Sequence, residues 1–140
     1  MRTRVLRFVL LLLFVGGASL ATVSHNATVY VYRPSHLTGS ARSPSIYIDG
    51  VEIARLHNGT YLRFDLAAGQ HLITSATYVE GSPYLKFEAG KEYFFRLKVG
   101  SAAKGAVGLA EWKLLEIPQQ LAVTEIEKLK QGEVMHPPTL

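Results

Sequence analysis

Two dipeptides, Asp49-Gly50 and Asn58-Gly59, constrain this chain more than any other feature. A two-residue hairpin turn of type I′ needs positive φ at both central positions, and these pairs supply it at low cost. Each turn then fixes a register. A turn at Asp49-Gly50 sets Ile48 opposite Val51 and Ile46 opposite Ile53; a turn at Asn58-Gly59 sets Ile53 opposite Phe64 and Val51 opposite Leu66. The two registers agree, because the same apolar residues of the shared strand face both neighbours. A tight loop at Ala68-Gly69 extends the pattern to Ile73, giving a core row of Ile46, Ile53, Phe64 and Ile73. Tyr47, Glu52 and Arg63 fall on the other, solvent face, as one-sided antiparallel sheets require.

Further strands flank this meander. Residues 27–33 are β-formers on both faces and stop at Pro34, which cannot donate to a ladder. Residues 84–88 and 92–99 surround Ala89-Gly90, a turn that would set Phe87 opposite Tyr93 and Leu85 opposite Phe95. A last strand near 109–116 carries Trp112. Short strands at this spacing predict a mainly β fold: a single antiparallel β-sandwich, prealbumin-like or immunoglobulin-like, of about seven or eight strands. Only the C-terminal part reads as helix, with Pro118 at its start, Thr124-Glu125-Ile126-Glu127 in capping-box form and Gly132 as its stop. Leu121, Ile126 and Leu129 would face the sheet.

The N-terminus has a different logic. Arg2, Arg4 and Arg7 precede an apolar run from Phe8 to Val15, and Ser19-Leu20-Ala21 follows. That is the layout of a secretory signal peptide, with an apolar run short for a bilayer span. The domain reading is therefore a signal peptide at 1–21, a sandwich with its helix at 22–134, and a disordered tail at 135–140. An exported, periplasmic or extracellular protein starting at Thr22 is expected, held at a membrane only if the signal stays uncleaved. The whole chain has 15 Lys+Arg against 11 Asp+Glu, and three of those arginines lie in the signal. The near-balanced remainder lacks the basic footprint of a nucleic-acid binder. There are no cysteines, so the core holds without disulfides.

Catalytic constellations are sparse. The five histidines, His25, His36, His57, His71 and His136, lack local metal-ligand spacing, and no metal or other cofactor is expected. No Gly-x-Ser-x-Gly elbow and no Gly-rich phosphate loop appear. Tyr30, Tyr32 and Tyr47, with Arg63, are the candidate binding face, since aromatic rows can stack on sugars or anchor a protein; burial under a helix or second sheet is the plainer account of such tyrosines.

On residues 27–34, Ile46-Tyr47-Ile48-Asp49-Gly50 and Leu66-Ala67-Ala68-Gly69-Gln70-His71, the chain resembles a bacterial family known as domain of unknown function 2846. The resemblance implies an exported, often lipid-anchored protein and brings no activity with it. This chain lacks the cysteine a lipid anchor would need. Its middle part is also similar to small envelope β-modules named for a Pro-Glu-Gly-Ala signature, without that tetrapeptide. The leading expectation is a non-catalytic envelope module that binds a protein. The alternatives are a glycan binder using the tyrosine face and a hydrolase assembled from loops 35–44 and 100–108.

Overall fold

The computed structural model describes residues 25–36, 41–75, 83–100 and 111–138. The signal peptide, the Thr22 start, loop residues 37–40 and 101–110 and the final residues 139–140 lie outside them. In chain order the elements are β1 (Asn26–Arg33), β2 (Ser45–Ile48), β3 (Val51–Arg55), β4 (Thr60–Ala67), β5 (Gly69–His71), β6 (Ile73–Thr74), β7 (Leu85–Phe87), β8 (Glu92–Gly100), β9 (Glu111–Glu116), α1 (Gln119–Ile126) and β10 (Lys130–Gln131). A five-stranded sheet runs β10-β4-β1-β8-β9. A three-stranded sheet, β3-β2-β6, and a two-stranded one, β5-β7, complete the β structure. The fold is mainly β and sandwich-like, with one short helix, as the strand pattern predicts.

The pairing differs from the expected antiparallel meander in several places. β1 pairs antiparallel with β4 but parallel with β8, so the larger sheet is mixed. The opposing strands cover one face of β1 and helix α1 covers part of the other. That explains why 27–33 is apolar or aromatic at almost every position: Ala27, Val29 and Val31 face the core while Tyr30 and Tyr32 face the helix layer.

The Asp49-Gly50 hairpin forms as expected, with φ of 49° and 82°, and joins β2 to β3 with Ile48 opposite Val51. Beyond Tyr47↔Glu52 a bulge shifts the register, and Ile46 meets Ala54 rather than Ile53. The Asn58-Gly59 turn is not a hairpin. It carries the chain from β3 into the other sheet, where β4 pairs with β1 and β10. Only Gly59 takes positive φ there, at 73°. Asn58 instead uses its amide on the backbone of His36: its Nδ2 donates to His36 O, and its Oδ1 accepts from His36 N, each at 3.0 Å. The Ala68-Gly69 and Ala89-Gly90 corners also change sheets. β5 pairs with β7, β6 pairs with β2, and β8 leaves β7 for β1 and β9.

The core row survives these changes, but the bulge alters β3: Val51, expected to face the core, is 59% exposed, while Ala54 is buried. Ile46, Ile53, Phe64 and Ile73 are all buried in one core, together with Val29, Val31, Leu62 and Phe95 from the larger sheet. They meet across the sandwich rather than along one sheet. Phe87 and Tyr93 meet as rings, T-shaped at 4.7 Å between centroids, although their strands do not pair. At the end of β1, Arg33 turns inward by the same alternation. It is 1% exposed, donates from Nη1 to Arg42 O at 2.6 Å, and lies 4.7 Å above the Trp112 ring.

Helix α1 starts after Pro118 and is shorter than the sequence signals imply. Thr124 lies inside it and donates back to Leu121 O at 2.8 Å, so the capping-box form does no capping. Gly132 follows β10, not the helix, and its N–H donates to Tyr61 O at 2.7 Å. Ile126 and Leu129 pack on the sheet as expected, with Ala122 fully buried. Leu121 does not: it is 62% exposed. Met135 and His136, at the start of the expected disordered tail, both donate backbone N–H groups to Ile53 O.

Candidate site: an aromatic groove beside the helix

Alternation on β1, β4 and β8 sends one set of side chains away from the core. The registers Tyr30↔Arg63, Tyr30↔Phe94, Tyr32↔Tyr61 and Tyr32↔Arg96 place these residues in two adjacent rows. Helix α1 crosses this face and covers part of it. Tyr32, Phe94 and Ala122 form a small second core, with Tyr30, Tyr61, Ile117, Ile126 and Leu129 packed at its margin.

A three-residue lock fixes the helix there. Tyr32 Oη donates to Glu125 Oε2 at 2.6 Å, and Arg96 Nε donates to the same oxygen at 3.0 Å. Arg96 Nη2 pairs with the other oxygen, Oε1. Burial, then the adjacent Glu125 carboxylate, pushes the Tyr32 phenol up to about 12. Hydrogen bonding to Arg96 holds Glu125 below its usual range, and Glu125 in turn raises Arg96.

Beside the lock the helix leaves a groove of about 340 Å³. Tyr30, Tyr61, Phe94 and Glu92 line it from the sheet; Val123, Ile126, Glu127 and Leu129 line it from the helix side. The Tyr30 and Phe94 rings stack at 4.8 Å with 7° between planes. The Tyr30 hydroxyl is held between charges, donating to Glu92 Oε1 and accepting from Arg63 Nε, each at 3.4 Å. Glu92 is further oriented by Gln119 Nε2 at 3.0 Å. The Tyr30 hydroxyl, Asp65 and Glu92 together raise the Arg63 guanidinium above its ordinary value. The groove is thus apolar in its floor and wall, with carboxylates from Glu92 and Glu127.

The four sequence candidates do not make one face. Tyr30 and Arg63 are neighbours, Tyr30 in the groove and Arg63 exposed next to it. Tyr32 is 0% exposed beneath the helix, so it is a helix anchor and presents nothing to a ligand. Tyr47 is on β2 in the other sheet, opposite Glu52 and Thr74. Sequence reading missed Phe94, Glu92 and Glu127. Phe94 could be found from the adjacent pair Phe94-Phe95, which puts one aromatic on each face of β8; only the helix path brings in Glu127.

A second cavity, of about 360 Å³, opens between the sheets where β6 and β9 approach, lined by Ile73, Leu85, Phe95, Trp112 and Leu114 among others. Ser75 Oγ donates across it to Trp112 O at 3.1 Å. The hydroxyl and imidazole of Ser43 and His57 lie 2.7 Å apart, but this exposed pair lines neither cavity. Among the described residues, no cluster of three or more histidines and carboxylates could hold a metal, and no helix is long and apolar enough to cross a membrane.

The segments on which the sequence resemblance rests have structural roles. His71 Nδ1 donates to Asp49 Oδ2 at 2.6 Å, and Leu72 N–H donates to Asp49 Oδ1 at 2.8 Å. The Asp49-Gly50 hairpin and the Leu66–His71 corner are therefore two halves of one clasp. In the Tyr-Arg-Pro segment, Tyr32 anchors the helix, Arg33 fills the end of the core, and Pro34 ends the strand.

Such a sandwich, with its Asp49–His71 clasp in the frame and a groove beside its helix, is a small β-module in class. Residues 23–109, more than half the chain, match the model of the family described as Protein of unknown function (DUF2846), and the chain belongs to that family. No curated protein and no solved structure matches the chain.

Proposed function

We propose that this protein is an exported, non-catalytic module of the cell envelope that binds another protein through the groove between α1 and the five-stranded sheet. The observation that carries this reading is the groove itself: a stacked Tyr30–Phe94 pair beside a wall of Val123, Ile126 and Leu129, partly open to solvent where the helix leaves the sheet uncovered. Aromatic and aliphatic groups that converge in a pocket with a few polar atoms are the usual seat of a side-chain anchor. The layout of residues 1–21 supports export. A glycan platform of Tyr30 and Tyr32 has less support, because Tyr32 is covered.

The test is crosslinking in the native host, followed by mass spectrometry of each cell fraction. A mature mass starting at Thr22 outside the cytoplasm, with a partner lost in the variants Tyr30→Ala and Ile126→Asp, is expected. A full-length mass confined to the cytoplasm, or a partner retained by both variants, would overturn the reading.

A further inference from the structure

We infer that the groove beside α1 accepts the side chain of a lysine from the partner protein. The inference rests on the proposed protein-binding role and specifies its chemistry. Every charged residue lining the groove is a carboxylate, Glu92 or Glu127. Its remaining lining is aromatic or aliphatic, with Tyr30, Tyr61 and Phe94 supplying three rings. An alkylammonium matches both halves of that surface. Its methylene stem lies against Ile126 and Leu129, where apolar contact suits it. Its ammonium head sits by the carboxylates of Glu92 and Glu127, which accept its donors.

Neighbouring charge is compatible with this arrangement. Arg63 stands beside Tyr30, donating from Nε to its hydroxyl, but does not line the groove. An arginine would bring a wider planar head that gains most from bidentate pairing.

The experiment has two arms and uses the full chain. In the first, n-butylammonium chloride and n-butanol are titrated separately while the amide and aromatic resonances of Tyr30, Phe94 and Ile126 are followed by NMR. The ammonium should bind at least tenfold more tightly than the alcohol, and the double variant Glu92→Gln/Glu127→Gln, checked for an unchanged fold by circular dichroism, should abolish the difference. Equal binding of the two probes, or no shift at these residues, would overturn the inference. In the second arm, envelope extract is acetylated at its lysines before the protein is added and crosslinked. Loss of a partner captured from untreated extract supports the lysine. Retention of that partner overturns the lysine and leaves the protein-binding reading intact. If untreated extract yields no partner that depends on Tyr30, the underlying reading fails and the inference falls with it.

Discussion

Replacing Tyr32 with phenylalanine removes one oxygen from a residue that is 0% exposed and leaves the ring packing in place. That oxygen donates at 2.6 Å to the Glu125 carboxylate, which Arg96 also holds. A hydrogen bond to a charged group contributes about 1.5–3 kcal/mol, and Glu125 keeps its arginine in the variant, so the expected loss is about 2 kcal/mol. For a domain of this size the melting temperature would fall by about 6–12 °C. The pH dependence provides a sharper check. The Tyr32 phenol is raised from 10.0 to about 12 in the fold, so its contribution is complete below pH 10 and is lost as the pH rises through about 12. Across that window the wild type loses up to roughly 2–3 kcal/mol that the phenylalanine variant cannot lose. Urea unfolding of both proteins from pH 8 to pH 12 would show the gap between them closing. A gap under about 0.5 kcal/mol at pH 8, within the range of neutral surface changes, would refute the lock; so would a gap of constant size up to pH 12.

Other substitutions test the frame and the helix contact separately. Leu62→Ala, at a fully buried position between the sheets, should cost about 2–5 kcal/mol in urea unfolding. Asp49→Ala removes the acceptors for His71 and Leu72 at a positive-φ position and should cost about 1–3 kcal/mol, whereas Asp49→Asn keeps an acceptor for Leu72 and should cost less. Glu125 is held below its usual carboxylate range, so its contribution is present above the unfolded value of 4.5 and lost as the pH falls through the folded one. Acid unfolding of Glu125→Gln should therefore show a shallower decline in this region than the wild type.

Most residues that point inward were legible in the sequence, Val51 and Ala54 excepted, but most of their strand partners were not. Period-two alternation identified Ile46, Ile53, Phe64 and Ile73 as one buried set, and they are buried together. The same alternation is satisfied whether two strands lie side by side or pack face to face, so β3 and β4 could be read as neighbours while they belong to opposing sheets. Asp49-Gly50 gave its turn correctly because both positions adopt positive φ. At Asn58-Gly59 the asparagine side chain bonds to His36 instead, a contact set by tertiary structure. The parallel pairing of β1 with β8 has no turn to announce it. The groove was half visible: alternation put Tyr30 and Arg63 side by side on an outer face, while the helix that buries Tyr32 and supplies Glu127 docks through Glu125 and Arg96, a pair 29 residues apart in the chain.

The most direct measurement is site-specific photocrosslinking in the native host, with the probe placed in turn at Val123 on the groove wall and at Lys113 on β9. The proposed role predicts one recurrent protein crosslinked from Val123, absent from Lys113, and lost when Tyr30→Ala is added. The same protein captured equally from both positions, or no protein captured from Val123, would contradict it.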